Sequence, residues 1–172
     1  AEANTATEAL NATLYVRSSG LEQIITISQA AYVEGGDDEP VLVEKSATLS
    51  FANKAQRTTF NTTQQIWEQN GIKLTNDKAS STNAIADYAN PARFYAGSKL
   101  TLDAPGAIKS IKFVTGGSSY ANAMKSSLGT VAGATVTVSG SDVTVTFTEA
   151  TAAQFVVAKL TAQVRMKNLS VT

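Results

Sequence analysis

Between Thr135 and Phe147 the chain runs Thr-Val-Thr-Val-Ser-Gly-Ser-Asp-Val-Thr-Val-Thr-Phe. The valines and Phe147 keep one parity in each arm, and a glycine-containing turn separates the arms. A period of two places alternate side chains on opposite faces of an extended chain, one apolar and one wet. A sheet with one apolar face needs a second layer to cover it.

Similar signals recur along the rest of the chain at sandwich-like spacing. Strands are expected near 45–51, 64–69, 71–76, 92–96, 98–103, 107–114, 134–139, 142–148, 153–159 and 163–171. One helix fits the pattern: Ser118 or Ser119 as cap, then Tyr120, Met124 and Leu128 at four-residue spacing, and Gly129 to close it. The polar, Ser/Asn/Ala-rich residues 77–90 read as a long loop. The expected fold class is all-β, a jelly-roll-like β-sandwich with an N-terminal β-hairpin appendage and one short helix.

The hairpin occupies the first block of the chain. Leu14 and Val16 alternate with Tyr15 and Arg17, Ser18-Ser19-Gly20 supplies a turn, and Ile25 and Ile27 alternate with Thr26 and Ser28. A lone hairpin cannot bury a face on itself and needs a partner surface. Glu34-Gly35-Gly36-Asp37-Asp38-Glu39-Pro40 reads as an exposed linker, its acids solvated or, in a second reading, arranged as a calcium loop. The expected organisation is residues 1–33 as a partial sandwich hairpin, 34–43 as linker and 44–172 as the main sandwich.

Composition narrows the chemistry. The 172 residues contain no Cys and no His. That removes disulfides, thiolate chemistry, the usual neutral-pH general base and the commonest transition-metal ligand. Ser-His-Asp and Cys-His catalysis fall with them. Lys and Arg equal Asp and Glu at 14 each, so no long-range positive field gathers phosphates and no nucleic-acid partner is expected. No apolar run is long enough for a transmembrane segment. The chain starts at Ala rather than Met and is expected to derive from a longer, processed precursor.

Two constellations remain. Trp67, Tyr88, Arg93, Tyr95 and Tyr120 are candidates for a sugar-binding surface, in which ring faces stack on the pyranose and Arg reads its hydroxyls; the competing reading buries the rings in the core. Asn76, Asp77 and Asp87 flank the long loop and are candidates for a structural calcium, against the plainer reading as turn residues. No other cofactor is expected. Arg93 and Arg165 both lie inside β-patterns, either on a wet face or paired with Glu44, Glu68 or Asp87. Asp87, Asp103, Asp142 and Glu149 are the carboxylates a glycosidase would need in pairs, but no motif couples any two.

The opening, Ala3-Asn4-Thr5-Ala6-Thr7-Glu8-Ala9 with Ala12-Thr13-Leu14-Tyr15-Val16-Arg17-Ser18 and Ile25-Thr26-Ile27-Ser28-Gln29-Ala30, resembles the last third of a BACON domain. These are small immunoglobulin-like sandwiches of Bacteroidetes surface lipoproteins. Leu10 stands where that family usually carries a basic residue, and the earlier strands of such a domain have no counterpart in this sequence. Ile66-Trp67-Glu68-Gln69-Asn70-Gly71-Ile72, Pro91-Ala92-Arg93-Phe94-Tyr95-Ala96-Gly97-Ser98 and Gln163-Val164-Arg165-Met166-Lys167-Asn168-Leu169-Ser170-Val171 resemble a jelly-roll-like domain found in tandem with such modules.

These resemblances imply export to the cell surface or periplasm, with a lipid anchor in the full-length protein, and transfer no catalytic residues. The expected function is a non-enzymatic binding or spacer module that contacts polysaccharide or host glycan. The alternatives are a fimbria-like or strand-exchanged assembly that self-associates through the N-terminal hairpin, and a glycoside hydrolase or its accessory domain.

Overall fold

The structure, a computed structural model, describes residues 10–18, 21–29 and 44–172, the first two spans by backbone alone. The chain divides into two compact units, Ala1–Val43 and Glu44–Thr172. In the first, β1 (Leu10–Ser18) and β2 (Leu21–Gln29) form an antiparallel two-stranded sheet, from Leu10 opposite Gln29 to Ser18 opposite Leu21. The linker expected over 34–43, with its acidic loop, lies outside the described residues.

The second unit is an all-β sandwich. Its elements are β3 (Ala47–Ser50), β4 (Arg57–Phe60), β5 (Gln64–Gln69), β6 (Ile72–Asp77), β7 (Ala92–Phe94), β8 (Lys99–Asp103) and β9 (Ile108–Thr115). After these come the helix α1 (Ser118–Leu128), β10 (Ala134–Ser139), β11 (Asp142–Thr151), β12 (Gln154–Val157) and β13 (Val164–Val171). One sheet runs β10-β11-β9-β13-β3, with β7 also pairing to β13; the other runs β12-β8-β6-β5-β4. Among the described residues no helix is long and apolar enough to cross a membrane.

Period-two patterning builds both sheets. In β6 the order Ile72, Leu74, Asn76 points inward and Lys73, Thr75, Asp77 outward. β5 and β6 join through Asn70 and Gly71 at φ 50° and 80°, the two positive values that a tight two-residue hairpin turn demands. A continuous core joins the sheets, with Leu49, Phe113, Val145 and Met166 from one and Trp67, Leu74 and Leu102 from the other. Each such large apolar side chain contributes about 1.5–3 kcal/mol on burial.

β13 keeps that core filled by a change of parity. Val164 and Met166 face in, then Leu169 and Val171, and the register against β9 shifts between Met166 and Asn168. The extra residue of this bulge leaves Lys167 exposed, while its carbonyl accepts the Phe51 N–H at 2.9 Å.

Two local expectations need correction. Between the strands expected near 45–51 and 64–69, where no element was expected, lie the 3-10 turn Lys54–Gln56 and β4; Arg57-Thr58-Thr59-Phe60 sends no aliphatic residue inward and so carries no strand signal. Neither Ser118 nor Ser119 caps α1. The cap position is Gly117, with no side-chain cap bond. The buried Thr115 hydroxyl supports the helix entry instead, its proton shared between the carbonyls of Gly117 at 2.9 Å and Ser141 at 2.7 Å. Met124 and Ala121 dock α1 into the same core, and Gly129, at φ 59°, ends it.

Candidate ligand-binding site

The alternation of β7 and β13 decides which side chains reach the surface. Ala92 and Phe94, and opposite them Met166 and Val164, are buried. The residues between them, Arg93 and Arg165, therefore share the other face and lie directly opposite each other across the ladder.

Each arginine lies against a tyrosine ring. The Arg93 guanidinium carbon lies 3.6 Å from the centroid of the Tyr88 ring, and that of Arg165 lies 5.3 Å from the centroid of Tyr120. Both distances are within cation–π range. Tyr88 comes from the end of the long loop, where Pro91 follows a cis peptide bond, and is 40% exposed. Tyr120 comes from the first turn of α1 and is half-buried. Gly116 closes the group: a Cβ built on it would sit 3.4 Å from Pro91, 3.5 Å from Arg165 and 3.6 Å from Tyr120. The surface therefore runs in the order Tyr88, Arg93, Arg165, Tyr120.

The acids named as partners for these arginines are engaged elsewhere. Glu44 binds Lys109, and Glu68 accepts from the Thr58 hydroxyl at 2.8 Å. Asp87 Oδ1 lies 2.9 Å from Lys54 Nζ and 2.8 Å from Arg57 Nη1. Lys54 first and Arg57 second hold the Asp87 carboxyl below the ordinary carboxylate range. Among the described residues neither Arg93 nor Arg165 forms a salt bridge or a side-chain hydrogen bond.

Of the five proposed sugar contacts, the structure gathers Tyr88, Arg93 and Tyr120 into this strip. Trp67 must be withdrawn from it. Its side chain is fully buried, edge-on to Phe51 at 5.1 Å, and Arg57 covers it at 5.5 Å. Gln65 and Trp67 share the inward parity of β5, which leaves Ile66 on the outer face. Tyr95, one residue beyond β7, is half-buried and makes no ring pairing with Tyr88 or Tyr120 among the described residues. Arg165 enters the strip as its fourth member; its β-pattern is visible in the sequence, but its register partner is not.

The three proposed calcium ligands do not converge. Asn76 faces the core, Asp77 faces outward and accepts from Gln64 Nε2 at 2.7 Å, and Asp87 holds its two cations. Among the described residues no three Asp or Glu side chains form a cluster suited to a metal. Of the carboxylates weighed for glycoside cleavage, Asp103 and Asp142 belong to different sheets. Asp103 takes Lys73 at 3.2 Å and Gln154 at 2.7 Å on one sheet, and Asp142 takes Lys112 at 2.7 Å on the other.

Comparison with protein-family models, with curated proteins and with solved structures finds no match to this chain.

Proposed function

We propose that this chain is a non-enzymatic binding module of an exported bacterial surface protein, and that it contacts carbohydrate through Tyr88, Arg93, Arg165 and Tyr120. The carrying observation is the arginine pair at opposed positions of β7 and β13, each flanked by a tyrosine at the surface. Aromatic faces suit the C–H face of a sugar, while guanidinium N–H groups read its oxygens. The engagement of Asp87, Asp103 and Asp142 by separate cations favours binding over hydrolysis, since a glycosidase needs two carboxylates facing one bond. Surface location and a lipid anchor in the full-length protein follow from the BACON-like and jelly-roll-like resemblances and belong to the proposal.

A polysaccharide panel titrated against the intact chain tests it. Binding that weakens about tenfold or more in Tyr88→Ala supports the strip, a loss in keeping with one ring contact. A panel with no binder reduces the module to a spacer.

A second reading has one specific support. The unit Ala1–Val43 contains a two-stranded sheet, and sheets that small gain stability by adding strands. In that reading the hairpin mediates self-association in a fimbria-like assembly. Light scattering of the intact chain and of residues 44–172 separates the two readings: a mass that is monomeric in both rules out hairpin-driven assembly.

A further inference from the structure

Like charges placed directly opposite on neighbouring strands repel and destabilise the pairing. Arg93 and Arg165 occupy such positions, and among the described residues no acid reaches either. The nearest acid in sequence to Tyr88, its neighbour Asp87, is bound to Lys54 and Arg57.

The stacking geometry also leaves donors over. A guanidinium lying 3.6 Å above a ring centroid engages that ring through its flat face, so the N–H groups of Arg93 point along the plane, away from Tyr88. Arg165 Nε is buried and, among the described residues, finds no hydrogen-bond partner. An atom so enclosed is out of a ligand's reach, and the donors left for an acceptor are the terminal nitrogens of Arg165 and Arg93, which make no hydrogen bond among the described residues.

We infer that the Arg93–Arg165 pair is a subsite for an acidic sugar, whose carboxylate or sulfate oxygens accept from both guanidinium groups while Tyr88 and Tyr120 flank the ring. The inference rests on the carbohydrate-binding reading and narrows it to anionic glycans. Planar guanidinium forks match the two oxygens of a carboxylate, which a lysine cannot reproduce. The domain needs no overall positive charge for this, because recognition comes from the local pair.

Affinity electrophoresis and calorimetry with the intact chain provide the test, using polygalacturonate, dextran sulfate and neutral dextran as probes. Polygalacturonate or dextran sulfate should bind, dextran should not, and binding should fall as salt rises from about 50 to about 300 mM, a range over which the Debye length drops below roughly 10 Å. The probe that binds identifies the acid as carboxylate or sulfate. Arg93→Lys and Arg165→Gln should each weaken binding by about tenfold or more, a loss expected of a charge-assisted pair. Arg165→Gln should melt close to the parent, because the repulsion it removes offsets the lost contact with Tyr120.

Three results overturn the inference. Binding to dextran that depends on Tyr88 but not on Arg165 keeps the sugar platform and removes the acidic subsite. Failure to bind any probe removes both. A collapsed melt in Arg165→Gln, with Arg93→Lys still binding as the parent does, makes Arg165 a structural residue.

Discussion

Gln65 on β5 and Asn76 on β6 are cross-strand neighbours on the inner face of the sandwich, both at 0% exposure, and neither amide finds a hydrogen-bond partner among the described residues. Ser98 Oγ and Trp67 Nε1 are buried and unpartnered in the same way. A buried amide without a partner costs about 1–3 kcal/mol, while replacing such groups with apolar ones of like shape is neutral or stabilising. The double variant Gln65→Met with Asn76→Leu is therefore expected to be more stable than the parent by about 1 kcal/mol or more. Urea unfolding at constant m-value checks it, and a lower midpoint would refute it.

Trp67 is the chain's single tryptophan, so its emission reports one environment. With its ring fully buried against Phe51, the folded protein should emit in the blue and resist acrylamide quenching. Trp67→Ala should cost about 3–5 kcal/mol through loss of burial and the cavity it leaves. Titration with any bound glycan should leave the emission wavelength unchanged. A red-shifted, readily quenched signal in the folded protein would sink this assignment.

Asp103 links two strands through its carboxylate. Gln154 Nε2, from the edge strand β12, donates to it at 2.7 Å and is the largest cause of its lowered pKa; burial opposes the shift and Lys73 adds to it. The folded pKa lies below the ordinary 3.8, so the stabilisation is in place above that pH and is lost as pH falls through the folded value. Carbon-13 titration should find Asp103 below 3.8 in the parent and nearer to it in Gln154→Leu. An identical midpoint in both proteins would remove Gln154 as the cause.

The sandwich was legible because its strands obey a period of two, and β10 and β11 obey it without exception through their shared hairpin. β5 was harder. Its order Gln64-Gln65-Ile66-Trp67-Glu68-Gln69 sets Ile66 and Trp67 on opposite faces but does not say which face is inner. The polar Gln65 shares Trp67's parity and argues against burial, yet Gln65 is itself buried. β4 escaped because a cation does a hydrophobe's covering: the side chain of Arg57, only 10% exposed, lies over Phe60 at 4.3 Å and over Trp67. Tyr88 and Arg93 came from local aromatic and basic density, and Tyr120 only as a further aromatic candidate at the start of the expected helix. The fourth, Arg165, depends on the pairing of β7 with β13, a long-range register that no local pattern encodes.

Gly97 ties the start of the long loop to the sandwich through its own main chain. Its φ is +86°, and a Cβ built there would lie 2.7 Å from the Ser81 nitrogen and 2.8 Å from the Ser80 carbonyl carbon. The Gly97 carbonyl accepts from the N–H of Ser80 at 3.1 Å and from its hydroxyl at 3.0 Å, while the Gly97 N–H donates to the Leu160 carbonyl at 2.8 Å. A side chain would meet both a disfavoured left-handed conformation and main-chain atoms that cannot rotate away. Gly97→Ala should therefore destabilise by about 3 kcal/mol and lower Tm by about 10 °C. Gly106→Ala is the control, since a Cβ built on Gly106 would meet nothing within 4 Å and its φ is not in the left-handed range. Because the loop carries Tyr88 at its far end, Gly97→Ala should also weaken glycan binding at temperatures where the domain is still folded. A Gly97→Ala protein that melts with the Gly106→Ala control would show that the loop is anchored by something other than this contact.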